Sequence, residues 1–398
     1  MKVLFLTLAR INDINDRGIY PDLLKKFRDE GHDVTIVAPI ERKYGKATSF
    51  TKNNGVTILN AWTTNIQKTN ILEKGFTTLL IEYFFLFAIK KYLNYNKIDL
   101  ILYSTPPITF TNLIIWLKKK NNAKTYLLLK DIFPQNAVDL KMLNKNNLLY
   151  SYFRKKEKKL YQLSDHIGCM SEYNKKYILE HNSWINEKKI EVNPNSIYLD
   201  EIEKNSNKIT EIINFIPKNK VIFVYGGNLG KPQGLNFLLE IIEDSIQNSD
   251  AYFIIVGSGT ESKGIFDWFS INKPSNALLI NHLSHQKYNE LLQYCHVGLV
   301  FLHPDFTIPN YPSRILTYME NKLPILFGID DNTDVGKEAE EQNYGFSCLN
   351  GDLLKFRNYI QLLTSDAKLR EQMGENGFAR LKRDFNVNYS YKMIMSHF

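Results

Sequence analysis

Cysteine is scarce in this chain of 398 residues: its three copies are Cys169, Cys295 and Cys348, and they lie far apart. They form neither a CxxC pair nor a paired framework, which disfavours a structural zinc site and a disulfide scaffold. This usage is typical of a reducing compartment, so we expect a cytoplasmic protein.

Long apolar runs are absent as well, and none reaches the roughly 20 residues that a membrane-spanning helix requires. The longest run, Phe76–Leu93, contains Glu82 and has Lys90-Lys91 near its end. It predicts either a buried core helix or a helix that dips partly into a bilayer surface, so any membrane contact is expected to be peripheral. The apolar start, Val3–Leu8, is too short for a signal peptide and predicts a buried first strand.

The known nucleic-acid-binding signatures are missing too, although the chain carries a formal net charge of +8. The charge is uneven: residues 1–200 hold 31 Lys and Arg against 19 Asp and Glu, a formal +12, and the remaining residues carry −4. Two basic clusters, Lys118–Lys120 and Arg154–Lys159, lie in the basic half. Either cluster alone could be a solvated helix face, but together they favour an anionic partner, above all a membrane surface.

With 44% hydrophobic residues, the chain can build sizeable cores, and its length favours two domains. Short β-like runs alternate with helical patterns in both halves, which is typical of parallel βαβ units. The strands predicted for the first half are Val3–Leu8, Val34–Val37, Thr57–Asn60, Leu100–Tyr103, Thr125–Leu129, His166–Met170 and Ile190–Val192. Those predicted for the second half are Val221–Tyr225, Ala251–Val256, Ala277–Ile280, Gly298–Phe301, Ile325–Phe327 and Gly345–Cys348.

We therefore predict an α/β protein with two facing Rossmann-like, doubly wound domains. The first domain is expected to span residues 1–196 and the second residues 197–384, with the terminal helix 385–398 packing back on the first. Ligands of such domains usually bind in the cleft between them, outside the carboxyl ends of the strands.

A glycine-rich turn, Gly226-Gly227-Asn228-Leu229-Gly230, follows the predicted strand Val221–Tyr225 and precedes an apolar helix, Leu235–Ile242. Glycines at such a place let backbone amides approach a phosphate near the positive end of the helix. The turn matches neither GxGxxG nor GxxxxGK[ST], which disfavours a standard dinucleotide site and a P-loop kinase. Tight packing between strand and helix is the alternative explanation.

The densest group of chemistry-bearing residues is His303–Arg314, which is followed by a predicted helix, Ile315–Glu320. Pro312 and Ser313 suit the first turn of a helix whose free amides could bind a phosphate, and Arg314 could hold that phosphate with two hydrogen bonds. Glu320 follows Thr317 by three residues on the same face, where its carboxylate could accept bonds from two ribose hydroxyls. The alternative is a capped helix with a surface arginine.

At the level of motifs, the chain resembles the retaining GT-B glycosyltransferases of glycosyltransferase family 4. More narrowly, it is similar to bacterial capsule and O-antigen enzymes that transfer N-acetyl-L-fucosamine. The matching segments span nearly the whole chain: Gly31-His32-Asp33-Val34, Lys130-Asp131-Ile132-Phe133-Pro134-Gln135, Asn193-Pro194-Asn195, Tyr225–Gly230, Gly257-Ser258-Gly259 and Pro312–Pro324.

The resemblance implies a UDP-sugar held mainly by the second domain, an acceptor on the first, and transfer without a metal or other cofactor. The donor-binding residues it implies are Gly18, Gly227, Asn228, Lys231, Ser313, Arg314, Thr317 and Glu320. Asp131 and Arg314 are the expected catalytic residues, Arg17 and Lys130 the expected acceptor-binding ones. Arg314 would stabilise the charge of the leaving UDP, while Asp131 could orient the acceptor hydroxyl, act as a base, or simply cap the turn that follows it.

The chain departs from the family pattern at several places. Pro309 and Thr317 stand where the family often has a Glu-x7-Glu pair, and Asn228 and Gln233 stand where it often has Arg and Lys. We interpret this as a rebuilt site, in which Arg314, Lys231 and Glu320 replace the usual groups; loss of activity is the alternative.

The function expected from the resemblance is transfer of a sugar, with N-acetyl-L-fucosamine the first choice, from a UDP-sugar to a polyprenyl-pyrophosphate-linked sugar. Such an enzyme would work in capsule or O-antigen assembly, peripherally on the inner face of the cell membrane and without a nucleic-acid partner. Two other functions stay open: a catalytically silent GT-B scaffold of a membrane assembly complex, and a UDP-sugar epimerase.

Overall fold

The computed structural model describes residues 1–66, 71–93, 97–199, 215–247 and 250–398. The chain divides into two compact units, one made of Met1–Tyr198 with Val387–Phe398 and the other of Leu199–Asn386. Residues 200–214, at the predicted start of the second domain, lie outside the described residues. Each unit has its own sheet and its own apolar core.

The sheet of the first unit has eight described strands in the order β3-β4-β2-β1-β5-β6-β7-β8. They are β1 (Lys2–Leu6), β2 (Asp33–Glu41), β3 (Ser49–Asn53), β4 (Val56–Thr63), β5 (Leu100–Ser104), β6 (Lys124–Leu128), β7 (His166–Cys169) and β8 (Ile190–Val192). All neighbours pair in parallel except β3 and β4. Helices cover both faces of such a sheet, so its central strands are continuous apolar runs; every residue of Leu-Ile-Leu-Tyr-Ser in β5 is buried.

The described helices of this unit connect its parallel strands, apart from the last helix of the chain. They are α1 (Ile19–Asp29), α2 (Ile71–Tyr92), α3 (Thr111–Asn121), α4 (Gln135–Asp139), α5 (Leu148–Leu163), α6 (Glu172–His181) and, from the far end of the chain, α14 (Val387–Met395). α14 packs on α1: the Phe27 and Tyr391 rings meet edge to face at 4.9 Å. Its Ile394 is fully buried in the core of the first unit.

The described part of the second unit has six strands in the order β11-β10-β9-β12-β13-β14, all parallel. They are β9 (Val221–Asn228), β10 (Ala251–Ser258), β11 (Ala277–Ile280), β12 (Val297–Phe301), β13 (Ile325–Ile329) and β14 (Gly345–Leu349). The helices are α7 (Asn236–Asp244), α8 (Ser262–Asn272), α9 (His285–Leu292), α10 (Arg314–Glu320), α11 (Val335–Glu341), α12 (Leu353–Ser365) and α13 (Ala367–Asp384). This is the doubly wound strand order, which reverses direction between β9 and β12.

The predicted α/β class with two Rossmann-like domains is therefore confirmed. Every predicted strand is present, most of them with an end moved by one to four residues. One strand escaped prediction: β3 is polar and almost wholly exposed, so it lacks the alternation of apolar residues that marks a half-buried strand. Asn54 and Gly55 join it to β4 with positive φ angles of 47° and 77°, the turn that favours a two-residue hairpin.

Candidate functional site

The glycine-rich turn of the second unit lies where its strand order reverses. β9 runs three residues further than predicted, so Gly226, Gly227 and Asn228 form its carboxyl end, paired with the end of β10. Gly227 and Asn228 are exposed there. A Cβ atom at Gly226 would overlap the Tyr288 hydroxyl, so a larger residue would displace that side chain. Open sheets of this kind bind ligands at such a reversal, outside the carboxyl ends of the strands.

Arg314 brings a cation to this turn. It is the first residue of α10, and its guanidinium carbon lies 4.6 Å from the centroid of the Tyr225 ring. Nη2 donates a 2.6 Å hydrogen bond to Gln233 Oε1. Nη1 is buried and has no hydrogen-bond partner among the described residues. A Cβ atom at Gly227 would lie 3.5 Å from the guanidinium carbon and 3.6 Å from Nη2, so the guanidinium lies against the exposed end of β9.

Three tyrosines, Tyr225, Tyr288 and Tyr318, lie beside the guanidinium. The Tyr318 hydroxyl accepts the Gly226 N–H at 3.1 Å and faces the carbonyls of Val224 and Leu299 at 3.2 and 3.3 Å. The Tyr225 hydroxyl donates to the Asn228 carbonyl at 2.7 Å. Burial raises the pKa of Tyr318 to about 12 and that of Tyr288 well above its ordinary value, so these phenols stay neutral beside the Arg314 guanidinium.

The other residues predicted to bind the donor are spread around this centre. Lys231 is exposed in a single 3-10 turn, Lys231–Gln233, just after β9. Ser313 is exposed and directly precedes α10, and Thr317 is half-buried on that helix. Glu320 keeps only 7% of its surface exposed, so the structure gives it a buried position rather than one on the exposed turn.

A second group of predicted residues meets at the carboxyl ends of β1, β5 and β6 in the first unit. The Ser104 hydroxyl donates to Thr7 Oγ1 at 3.0 Å. Thr105 Oγ1 accepts the backbone N–H groups of Lys130 and Asp131 at 3.0 and 3.2 Å. This unit's strand order also reverses here, between β1 and β5, so the same rule marks this edge as a ligand site.

Asp131 is held by Asn136, whose amide nitrogen contacts its two carboxylate oxygens at 2.7 and 2.9 Å. Burial raises the pKa of Asp131 to about 6, against the lowering effect of those hydrogen bonds. A carboxyl group that titrates close to neutral pH is suited to accept or share a proton. The bonds to Asn136 also fit the capping role considered from the sequence, because Asn136 belongs to α4.

Lys130 is the cation of this group. Its Nζ donates to the Asn193 carbonyl at 3.2 Å, and burial lowers the pKa of the amine to about 7. A small cavity beside it is lined in part by Tyr20, Asn195 and Ser390. The neutral and charged forms of Lys130 are therefore both accessible near neutral pH, where an ordinary lysine is fully charged.

Arg17 and Gly18 directly precede α1. Arg17 donates to the Tyr198 carbonyl at 3.0 Å and lies 3.8 Å from a carboxylate oxygen of Asp22. The Gly18 N–H donates to the same carboxylate at 3.4 Å. Asp22 is fully buried and also accepts the Tyr198 N–H at 3.0 Å. The contacts of Arg17 and Gly18 thus tie the chain near Tyr198 to α1.

The structure brings together two sets of predicted residues: Gly227 and Arg314 in the second unit, and Lys130 and Asp131 in the first. The sequence does not identify, as site residues, the side chains that hold these groups in place. They include Gln233, Tyr318, Thr105 and Asn136. Gln233 was visible beside the glycine turn, but nothing in the sequence links it to a residue 81 positions away.

Comparison with known proteins gives two family matches. Residues 22–201 match the model described as Glycosyltransferase Family 4, and residues 207–380 match Glycosyl transferases group 1. The probable glycosyltransferase WbjE of Pseudomonas aeruginosa is 23% identical over 293 residues, which cover 71% of this chain and 69% of that protein.

Among solved structures, the chain is similar to a trehalose-6-phosphate protein from E. coli bound with UDP-2-fluoro glucose. The TM-score is 0.76 at 13% identity, covering 99% of this chain and 98% of that one. Sucrose-phosphate synthase from Thermosynechococcus elongatus gives the same TM-score and identity, covering 100% and 98%. These likenesses confirm the predicted GT-B class for the fold.

Proposed function

This chain is a GT-B glycosyltransferase of family 4, and we propose that it transfers a sugar from a UDP-sugar with retention of the anomeric configuration. The observation that carries the proposal is the Arg314 guanidinium, which lies against the exposed turn at Gly227 and has one nitrogen, Nη1, without a hydrogen-bond partner among the described residues. A departing UDP develops negative charge on its phosphate. A fixed cation in a partly desolvated place stabilises that charge without having to reorganise.

The exposed backbone at Gly227 and Asn228 supplements this cation, since β9 ends there beside the guanidinium. Lys231 and Ser313, both exposed on the flanking segments, are proposed to extend the same phosphate site. We keep Thr317 and Glu320 as candidate ribose contacts; the burial of Glu320 makes it the weaker of the two. The proposed transfer uses no metal and no other cofactor.

For the acceptor, we propose the edge of the first unit where Lys130 and Asp131 meet. Asp131 would orient the acceptor hydroxyl or take its proton, and its raised pKa supports that role. The leaving phosphate can also take this proton, in the mechanism assigned to retaining enzymes of this fold. Lys130 would contact an anionic part of the acceptor; Arg17 is the less supported candidate, because it bonds to the Tyr198 carbonyl and lies beside the Asp22 carboxylate.

The finer substrate proposal is N-acetyl-L-fucosamine as the sugar and a polyprenyl-pyrophosphate-linked saccharide as the acceptor, in capsule or O-antigen assembly. The motif resemblance supports the sugar, and the formal +12 of residues 1–200 supports an anionic, lipid-linked acceptor at the inner face of the membrane. No helix in the described parts of the chain has both the length and the apolar character to cross a bilayer.

The test is UDP-dependent thermal stabilisation, compared between wild type, Arg314→Ala and a control, Arg383→Ala. Arg383 is an exposed arginine of the same unit, with 61% of its side chain accessible. UDP at about 100 times its dissociation constant adds roughly 2.7 kcal/mol, which raises the melting temperature by several degrees. We expect this shift in wild type and in the control, and its loss in Arg314→Ala.

Turnover is measured next with UDP-N-acetyl-L-fucosamine and a synthetic polyprenyl-pyrophosphate acceptor. An equal response to UDP and equal turnover in Arg314→Ala would contradict the phosphate assignment. A changed sugar nucleotide released without acceptor would instead identify an epimerase.

A further inference from the structure

The outward face of α2 is apolar over three turns. Its inner face is closed by Ile81, Phe85 and Ile89, each at most 1% exposed. On the outer face, four large side chains are exposed: Phe76 by 54%, Leu79 by 38%, Tyr83 by 55% and Phe87 by 67%. Their spacing of three and four residues places them in one row along the helix. We call these four residues the α2 stripe.

Such a row differs from ordinary surface composition. Single exposed apolar residues are common in folded proteins, whereas contiguous apolar patches mark interaction surfaces. A helix on the surface of a water-exposed domain normally carries polar residues on its outer face. The α2 stripe carries two phenylalanines, a leucine and a tyrosine instead, the side chains that suit a membrane–water interface.

The helix is fixed in its unit and so presents the stripe as a rigid surface. Glu82, on the buried side, accepts hydrogen bonds from the Asn112 backbone N–H at 2.9 Å and side-chain amide at 2.8 Å. Its carboxylate also lies 3.6 Å from the Lys156 ammonium. These contacts join α2 to α3 and α5, so the stripe can lie on a bilayer without leaving the fold.

Exposed lysines gather at one end of the same surface. Lys90 and Lys91 are exposed in the last turn of α2, and Lys119 and Lys120 are exposed in the last turn of α3. The two helices are in contact there, because the Lys90 ammonium lies 5.2 Å from the Trp116 ring centroid. None of these four lysines forms an ion pair with a carboxylate within the described ranges.

Other members of the two basic clusters already have partners. Lys118 pairs with Asp165 at 3.0 Å, and Lys156 pairs with Glu82. Arg154 pairs with Glu157 at 2.6 Å. The clusters predicted from the sequence are therefore only partly available to an anion.

We infer that the α2 stripe and the four lysines form the surface by which this protein docks on an anionic lipid bilayer. The aromatic side chains would enter the boundary between headgroups and acyl chains, and the lysines would contact the lipid phosphates. A second copy docked through the same face would bring two lysine groups of like charge into one interface, which disfavours it. The inference rests on the proposed function only for the reason that the protein would bind a membrane, namely its lipid-linked acceptor. The surface itself is defined by the α2 stripe and the four lysines.

The test is sedimentation with vesicles of phosphatidylcholine containing about 30% phosphatidylglycerol, at low and high salt. Three variants are compared with wild type: Phe76→Ser/Phe87→Ser, a variant with Lys90, Lys91, Lys119 and Lys120 all changed to Gln, and the control Ile271→Ser. Ile271 is 79% exposed in the second unit, so it matches the apolar change without touching the proposed surface.

We expect the double serine variant to bind these vesicles at least about tenfold more weakly than wild type, from the apolar area it withholds. The lysine variant should lose the preference for anionic over neutral vesicles and the salt dependence. Wild-type binding in the double serine variant, or equal loss in the control, would overturn the inference. A mass that doubles with protein concentration in velocity sedimentation of wild type, but not of the double serine variant, would also overturn the inference. The α2 stripe would then be a dimer interface.

The UDP response separates this inference from the proposed function. The double serine variant and the lysine variant should both keep the UDP-dependent thermal shift and their transfer to a short-chain, water-soluble acceptor, because the changed residues lie outside the proposed donor and acceptor residues. Loss of vesicle binding with a retained UDP shift supports the docking surface. Vesicle binding without any UDP shift in wild type contradicts the proposed function and leaves the docking result standing.

Discussion

Replacing Gln233 tests how the cation of the donor site is held. The Gln233 amide oxygen accepts a 2.6 Å hydrogen bond from Arg314 Nη2, while Nη1 has no partner among the described residues. In Gln233→Ala the guanidinium loses that anchor and keeps only its position over the Tyr225 ring. Arg314 stays charged, so the expected defect is in the placement of the charge and not in its presence.

The magnitude follows from the kind of bond removed. A hydrogen bond to a charged group contributes about 1.5–3 kcal/mol, which corresponds to a factor of roughly 10 to 100 in kcat/KM if the anchor acts in the transition state. Arg314→Ala removes the charge itself and should cost more, on the order of 100- to 1000-fold. The assay is initial-rate transfer from the UDP-sugar, with UDP-dependent melting as the measure of ground-state binding.

Gln233→Glu gives the sharper comparison. It is nearly the same size as glutamine and keeps an acceptor for Nη2, yet it places a negative charge beside the proposed phosphate. We expect it to be at least as impaired as Gln233→Ala. Wild-type transfer in Gln233→Ala would refute the anchoring role, and wild-type transfer in Gln233→Glu would refute the placement of a phosphate beside this residue.

The remaining predictions concern Asp131 in the first unit and Tyr318 beside Arg314 in the second. Because the pKa of Asp131 is raised to about 6, transfer should fall as the pH drops from 7 to 5, and Asp131→Asn should abolish this pH dependence along with most turnover. The same raised pKa means that the contribution of Asp131 to folding stability is greatest below the ordinary pKa of a carboxyl and is lost as the pH rises through 6. The melting temperature of Asp131→Asn at pH 7 should therefore exceed that of wild type. A lower melting temperature would contradict burial as the cause of the raised pKa. Tyr318→Phe leaves the buried Gly226 N–H without its acceptor, which should cost about 1–3 kcal/mol and lower the melting temperature by several degrees; an unchanged temperature would show that this bond does not stabilise the fold.

Much of the fold was predictable because its strands are buried on both faces. A run such as Leu100–Tyr103 is continuously apolar and has few alternatives to a central strand of a parallel sheet. The exposed edge strand β3 gives no such signal, since its polar residues meet water on both faces. Its one clue was Asn54-Gly55, a dipeptide that marks a hairpin turn when strands flank it.

The site was predictable in its position but not in its internal contacts. The glycines after Tyr225 and the arginine at the start of a helix are local patterns, and the topology of the sheet brings them together. The bond between Gln233 and Arg314 depends on how two segments pack, and no spacing in the sequence encodes it. Lys118 and Lys156 show the same limit: each is part of a basic cluster in the sequence, but each is paired with a carboxylate from another segment.

The terminal helix α14 has a consequence for biosynthesis. Its Ile394 completes the core of the first unit, and its Ser390 hydroxyl donates to the Asn193 side chain at 2.7 Å. Between Tyr198 and Val387 the ribosome must translate the whole second unit, which takes roughly 10 to 40 seconds at ordinary elongation rates. During that interval the core of the first unit lacks Ile394 and stays incomplete, while the second unit can fold as soon as it emerges. The unit made first is therefore the one finished last.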